Sequence, residues 1–270
     1  MNEQDEFYIG WQEEAPAGFR KIGWLFFVAV LLSGLGFTLF FAKSEKGFVD
    51  SYFDYGNLTE VTGQLAMEPL PALLTQVNGG TQTIPLVGFG KFGAAPVLAK
   101  IEQRLTGNLS DYEVTIRGTY FEYQDKRWME LTEGAQSLVD FTPAKPPVRQ
   151  IINQGRVTLA GEIVDPKCFF GVMNPATKAV HRSCARRCIS GGIVPVLAIR
   201  ENGRFADYYL LDDPKSNDPF ADILPYVGLP VSISGEVTQY DDWKVLSISS
   251  KSLAQAEIQM NSIIALCKGQ

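Results

Sequence analysis

Three of the four cysteines and the only histidine of the chain fall within 21 residues: Cys168, His181, Cys184 and Cys188, spaced C-x12-H-x2-C-x3-C. His181, Cys184 and Cys188 stand at i, i+3 and i+7, so a helix puts all three on one face. Gly191-Gly192 follows and ends that helix. Cys168 needs only to fold back across a loop containing Gly171 and Pro175. Three chemistries fit the set. Four soft ligands on two supports make a tetrahedral Cys3His site for zinc, or a site for Cu(I). Two of the thiols can instead close a disulfide, most simply Cys168 to Cys184 or Cys188, because thiols outside the cytoplasm are usually oxidised. A Cys184–Cys188 bridge requires a distorted helical turn. Third, the site can be a reactive dithiol handling electrons. Arg182, Arg186 and Arg187 lie nearby in sequence, and cations beside a thiol favour the thiolate. The same arginines also read as the solvated face of a short helix. An iron–sulfur cluster fits by ligand count alone.

Composition narrows the field. A single histidine excludes a Rieske cluster, a dinuclear copper centre built on histidines and an H-E-x-x-H zinc site. The absence of C-x-x-C-H excludes covalently attached haem. The net charge of -6 argues against a nucleic-acid partner, since that binding rests on neutralising phosphates. With 46% hydrophobic and 11% aromatic residues the chain has ample material for packed cores. Gly88-F-G-K-F-G93 lacks the spacing and the Lys-Ser/Thr of a phosphate loop and reads as a strand-to-helix turn.

The elements that position the cysteines come from a repeat. Tyr112–Leu131 and Leu229–Ile248 align, with Val114, Ile116, Gly118 and Tyr123 matching Val231, Ile233, Gly235 and Tyr240. In both, apolar residues alternate up to a polar turn and then resume, the pattern of a half-buried β-hairpin. Each hairpin follows a short helical segment, Pro96–Gly107 in the first copy and Asp218–Gly228 in the second. Upstream strands are expected at Leu58–Leu65 and Thr83–Val87, and at Val157–Val164, Ile193–Ile199 and Phe205–Leu211. The third strand of copy one has no clear signature. The order β-β-β-α-β-β resembles the OB-fold, a five-stranded barrel. The first-strand glycines Gly63 and Gly161 are 98 residues apart, and the fourth-strand glycines Gly118 and Gly235 are 117 apart. Copy two therefore carries extra residues between its first strand and its helix, where the cysteines lie.

V-T-L-A-G-E-I-V-D-P-K-C, followed by H-R-S-C-A-R-R-C-I-S-G-G-I-V-P-V-L, resembles a group of bacterial membrane-anchored or secreted proteins. They share an Asp-x-x-Cys near the end of a first β-strand, then a His/Cys helix and Gly-Gly. The resemblance covers residues 157–240 and, in outline, the N-terminal anchor. It implies OB-like domains outside the cytoplasm and brings no reaction with it.

Ile22 to Ala42 carries no charge, and 21 residues of helix span roughly 31 Å, close to a bilayer core. Arg20 and Lys21 flank one end and Lys43 and Lys46 the other. The run is longer than the apolar part of a signal peptide, the preceding tail is acidic, and Phe40 occupies the position where cleavage wants a small residue. The expectation is a single-pass anchor in the inner membrane with the C-terminal domains in the periplasm. The flanking cations balance, so orientation rests on the short tail and the large C-terminal part.

The expected layout is an N-terminal tail (1–21), the membrane helix (22–42), a first OB-like domain (47–141) and a Pro-rich linker (142–150). A second OB-like domain (151–250) with the Cys/His insertion (165–192) and a C-terminal helix (251–270) complete it. The helix rests on Leu253, Ala256, Met260, Ile263 and Cys267, which share one stripe. Two functions are consistent with this layout. One is a non-catalytic accessory or binding subunit of a membrane-associated complex, respiratory or redox among the candidates, with the insertion as a staple. The other is a metal-binding or thiol-redox protein that uses the insertion directly.

Overall fold

A small closed barrel forces neighbouring strands to cross at steep angles, and a crossing leaves no room for a side chain on the inner strand. The four repeat glycines sit at those crossings. A Cβ on Gly63 would stand 2.4 Å from the Leu74 carbonyl oxygen, and on Gly161 2.7 Å from that of Ala198. On Gly118 it would meet Glu130 O at 2.4 Å, and on Gly235 Ser247 O at 2.5 Å.

The computed structural model describes residues 17–44, 51–77, 79–173, 175–213 and 220–255. In chain order these form α1 (Ala17–Ser44), β1 (Ser51–Phe53), β2 (Thr59–Ala66), β3 (Ala72–Val77), β4 (Gly80–Gly88), α2 (Ala95–Glu102), β5 (Tyr112–Tyr123), β6 (Lys126–Leu131) and β7 (Leu138–Pro143). Then come β8 (Ile151–Val164), a π-type turn at Cys168–Val172, α3 (Lys178–Ser190), β9 (Val196–Glu201), β10 (Arg204–Asp212), a 3-10 turn at Ala221–Tyr226, β11 (Pro230–Tyr240) and β12 (Trp243–Gln255).

Helix α1 belongs to a unit of its own, Met1–Phe48. Between Ile22 and Ala42 it lacks the polar stripe of a soluble surface helix. Thr38 donates its hydroxyl to Gly34 O at 2.8 Å and so hides its polar group inside the helix. With a mean hydropathy of 2.4 the helix is long and apolar enough to cross a membrane.

The second unit, Val49–Gln270, holds two closed five-strand barrels. In the first, β2 pairs β3, β3 pairs β4, β4 pairs β6 in parallel, and β5 joins β6 back to β2. In the second, β8, β9, β10, β12 and β11 close the same circuit, again with one parallel pair, β10 with β12. This is the order expected of OB-like barrels. The registers also coincide: Gly63 faces Val114 and Thr59 faces Gly118, while Gly161 faces Val231 and Val157 faces Gly235. The unplaced third strand of copy one is β3. The C-terminal helix expected from Lys251 is corrected at its start: Leu253, Ala254 and Gln255 extend β12 and pair with Ile233, Ser232 and Val231. Closing the barrel satisfies the backbone groups of that end of β11, which a helix would leave unpaired. Residues 256–270 lie outside those described.

Each barrel has its own apolar core. Leu65, Leu73, Ile116 and Met129 fill the first, with Leu98 and Ile101 of α2 closing one end. Ile163, Leu197, Ile233 and Leu246 fill the second. A third core lies between the barrels. Trp128 stacks on Phe121 (6.1 Å between ring centres) and Phe170 (5.9 Å), and meets Trp243 edge-on at 5.4 Å. Polar contacts cross the same seam: Thr83 N donates to Asp242 Oδ1 at 3.0 Å and Trp243 Nε1 to Thr83 O at 3.2 Å. Backbone meets backbone where Gly93 N donates to Gly191 O at 2.9 Å. A Cβ on Gly191 would stand 1.9 Å from Lys91 O. Gly191→Ala is therefore expected to cost ~1–3 kcal/mol, roughly 2–12 °C of melting temperature for a unit this size. Gly80→Ala, with its nearest neighbour at 3.8 Å, should be silent. Calorimetry of the full chain in detergent checks this; equal melting of both variants would mean the seam does not close at Gly191.

Candidate metal and thiol centre

Gln64 pairs Leu74 across the β2–β3 connection of the first barrel, whereas Glu162 pairs Ala198 across the β8–β9 connection of the second, which makes the latter 26 residues longer. The extra chain forms two helical pieces. The first begins at Asp165, whose Oδ1 accepts from Lys167 N at 3.0 Å and whose carbonyl accepts from Phe169 N at 2.9 Å. The side chain caps the turn, and Pro166 occupies the first helical position, where no N–H is needed. This turn presents Cys168. The second piece is α3. Its first residue is held by a short hydrogen bond from Lys178 N to the Glu162 carboxylate, and Gly191 and Gly192 end it, Gly192 at φ +92°.

The two pieces bring five potential ligands together. The sulfurs of Cys168, Cys184 and Cys188 all lie within 4.8 Å of one another. Asp165, Cys168 and His181 satisfy the same distance among themselves. Cys168 belongs to both groups, and His181 stands with Asp165 rather than with the other two cysteines. The three cysteines are free thiols; Cys168 and Cys188 are buried and Cys184 is half-exposed.

The cation beside the sulfurs comes from the other barrel. Lys91, on the loop between β4 and α2, donates from Nζ to Cys184 Sγ at 2.8 Å and lies 3.9 Å from Cys188 Sγ. The arginines of α3 point elsewhere: Arg182 donates to Pro225 O at 2.8 Å, and Arg186 and Arg187 are exposed. The hydrogen bond to Cys184 holds the Lys91 ammonium above its ordinary pKa, helped by the Cys188 and Cys168 sulfurs and opposed by partial burial. The loop is fixed from the second barrel. Lys167 Nζ donates to Gly88 O (3.2 Å), Gly90 O (2.6 Å) and Glu130 Oε1 (2.8 Å), and Glu130 Oε1 also accepts from Gly90 N (3.1 Å). Three charge-assisted bonds use all the donors of this buried ammonium.

The cysteines floor a cleft of about 610 Å³ between the barrels, walled by Phe53, Tyr55, Phe89 and Met173. Sequence reading singled out the cysteines and His181 but passed over Lys91, Glu130 and Lys167 and gave Asp165 no role. The one local signal for Lys91 is its place within the glycine-dense 88–93 turn, where backbone must approach backbone. Taken together, fold and site define a tandem pair of OB-like barrels with a thiol cluster at their junction. No family model, curated protein or solved structure matches the chain.

Contact with the Cys188 sulfur, burial and the Asp165 carboxylate push the Cys168 thiol well above its ordinary pKa. The folded protein thus keeps that proton where the unfolded chain has lost it, and stability falls as pH rises above about 8.5. Metal-free full-length protein is expected to melt earlier as pH climbs through this window, and Cys168→Ser to flatten the slope. Alkylation of the native protein should label Cys184 first, with Cys168 and Cys188 labelled only on unfolding. Equal labelling of all three thiols in the native protein would contradict this arrangement.

Proposed function

We propose that the chain is a membrane-anchored metal-binding protein of the cell envelope. In this reading α1 stays in the bilayer as an uncleaved anchor and the paired barrels stand on the periplasmic side. The observation that carries the reading is the convergence of three thiols from two separate elements within 4.8 Å on the floor of a cleft. Three thiolates suit zinc or Cu(I), and a soft ion neutralises charge that burial otherwise makes costly. The half-exposed Cys184 faces the cleft, so an ion held there is reachable by a partner. Lys91, which donates to Cys184 Sγ at 2.8 Å, stands where an ion held by that sulfur would have to displace it.

A second reading, an accessory subunit of a membrane-bound complex, is favoured by the rim. Tyr55 is 87% and Phe89 64% exposed, and both flank the cleft mouth. Such aromatics suit a protein contact. The two readings are compatible, with the ion passing to or stabilising the partner.

The test uses full-length protein purified from membranes under reducing conditions. Zinc or Cu(I) is expected to bind stoichiometrically, and Cys184→Ser combined with Cys188→Ser to lower affinity at this site by at least 100-fold. Retention in carbonate-washed membranes with an intact N-terminus is expected of the anchor. Absence of metal binding together with a Cys–Cys bridge in non-reducing peptide mapping would instead make the insertion a structural staple.

A further inference from the structure

Asp165 and His181 are sealed from solvent, their side chains 0% and 3% exposed. One carboxylate oxygen of Asp165 is used by the Lys167 N–H. Among the described residues the other, Oδ2, has no hydrogen-bond partner, and neither has His181 Nε2. Unpartnered buried polar atoms are rare in folded proteins and costly to leave so. These two stand 3.8 Å apart, beyond hydrogen-bonding distance. Two atoms that each ligate one ion at ~2.0–2.2 Å stand about 3.3–3.6 Å apart at a tetrahedral angle. The gap is therefore nearer that of two ligands than of a donor and its acceptor. The Cys168 sulfur completes the triangle.

We infer that Asp165, Cys168 and His181 form a second cation site, for a borderline divalent ion such as zinc, joined to the three-cysteine site through the shared Cys168 sulfur. A thiolate sulfur has lone pairs to spare and can bridge two ions. Nitrogen, oxygen and sulfur donors together are a zinc set. His181 does not join Cys184 and Cys188 in one group, so a single ion cannot be shared by the whole set.

The inference rests on metal binding at the cysteines, and the test separates the two. Full-length protein in detergent and reductant is stripped with chelator and titrated with zinc, and bound metal is counted after desalting. The wild type is expected to hold about two ions, one per group. Asp165→Asn, which preserves the acceptor for Lys167 N–H, and His181→Ala should each hold one. Cys184→Ser with Cys188→Ser should also hold one, with a zinc X-ray absorption shell of mainly nitrogen and oxygen. A wild-type count of one, unchanged by Asp165→Asn, overturns the second site and leaves the first intact. A count unaffected by the double serine variant overturns the three-cysteine site instead. The wild-type count needs no variant to fold, and circular dichroism of the zinc-free variants identifies any that do not.

Discussion

The side chain of Lys167 is 8% exposed and that of its partner Glu130 5%, and the pair joins one barrel to the other. A buried charge is tolerated only when every donor is used, and here two carbonyls and a carboxylate use all three. That requirement fixes much around it. The carbonyls belong to Gly88 and Gly90, so satisfying Lys167 sets the path of the loop that carries Lys91. Lys167 precedes Cys168, so seating the ammonium also seats the sulfur. Breaking the pair by removing one partner would strand the other charge, a cost of ~3–5 kcal/mol. The thiol centre is thus held in place by an ion pair that takes no part in its chemistry.

Around that pair the seam behaves as an interior. Trp128, Phe170 and Trp243 are fully buried between the barrels, and Gly171 leaves no room for a Cβ, which would fall 2.5 Å from that of Phe121. Cys188 belongs to the same core. A change at the sulfurs is consequently felt by packed aromatic rings and not by solvent alone.

Much of the barrel architecture was legible because its constraints are local. Alternation marked the hairpins β5–β6 and β11–β12, and the four crossing glycines gave the repeat its register. Strand β3 escaped because Ala72 to Thr75 are buried in succession, on both faces, and so show no alternation. At the C-terminus a spacing of 3 and 4 reads as a helix from Lys251, whereas residues 251–255 extend β12; the rest of that stripe lies outside the described residues. The site was half legible. Cysteine spacing predicted a shared helix face, and α3 has it. Lys91 and Glu130 were invisible because they arrive from the other copy, 97 and 37 residues from their partners Cys188 and Lys167. Asp165 shows in sequence only as the start of the insertion, since nothing there tells a capping carboxylate from one with a second oxygen to spare.

The matched registers of the two barrels carry a historical implication. If they descend from one ancestral barrel, the surface where they meet did not exist before the duplication. Copy one kept a five-residue connection between its first two strands, and copy two filled the same place with the insertion. The inserted pieces supply the sulfurs, yet the loop facing them comes from the copy that gained nothing. Copy two holds every potential ligand, and copy one supplies the facing wall with Lys91, so on that descent the duplication gave the insertion something to close against.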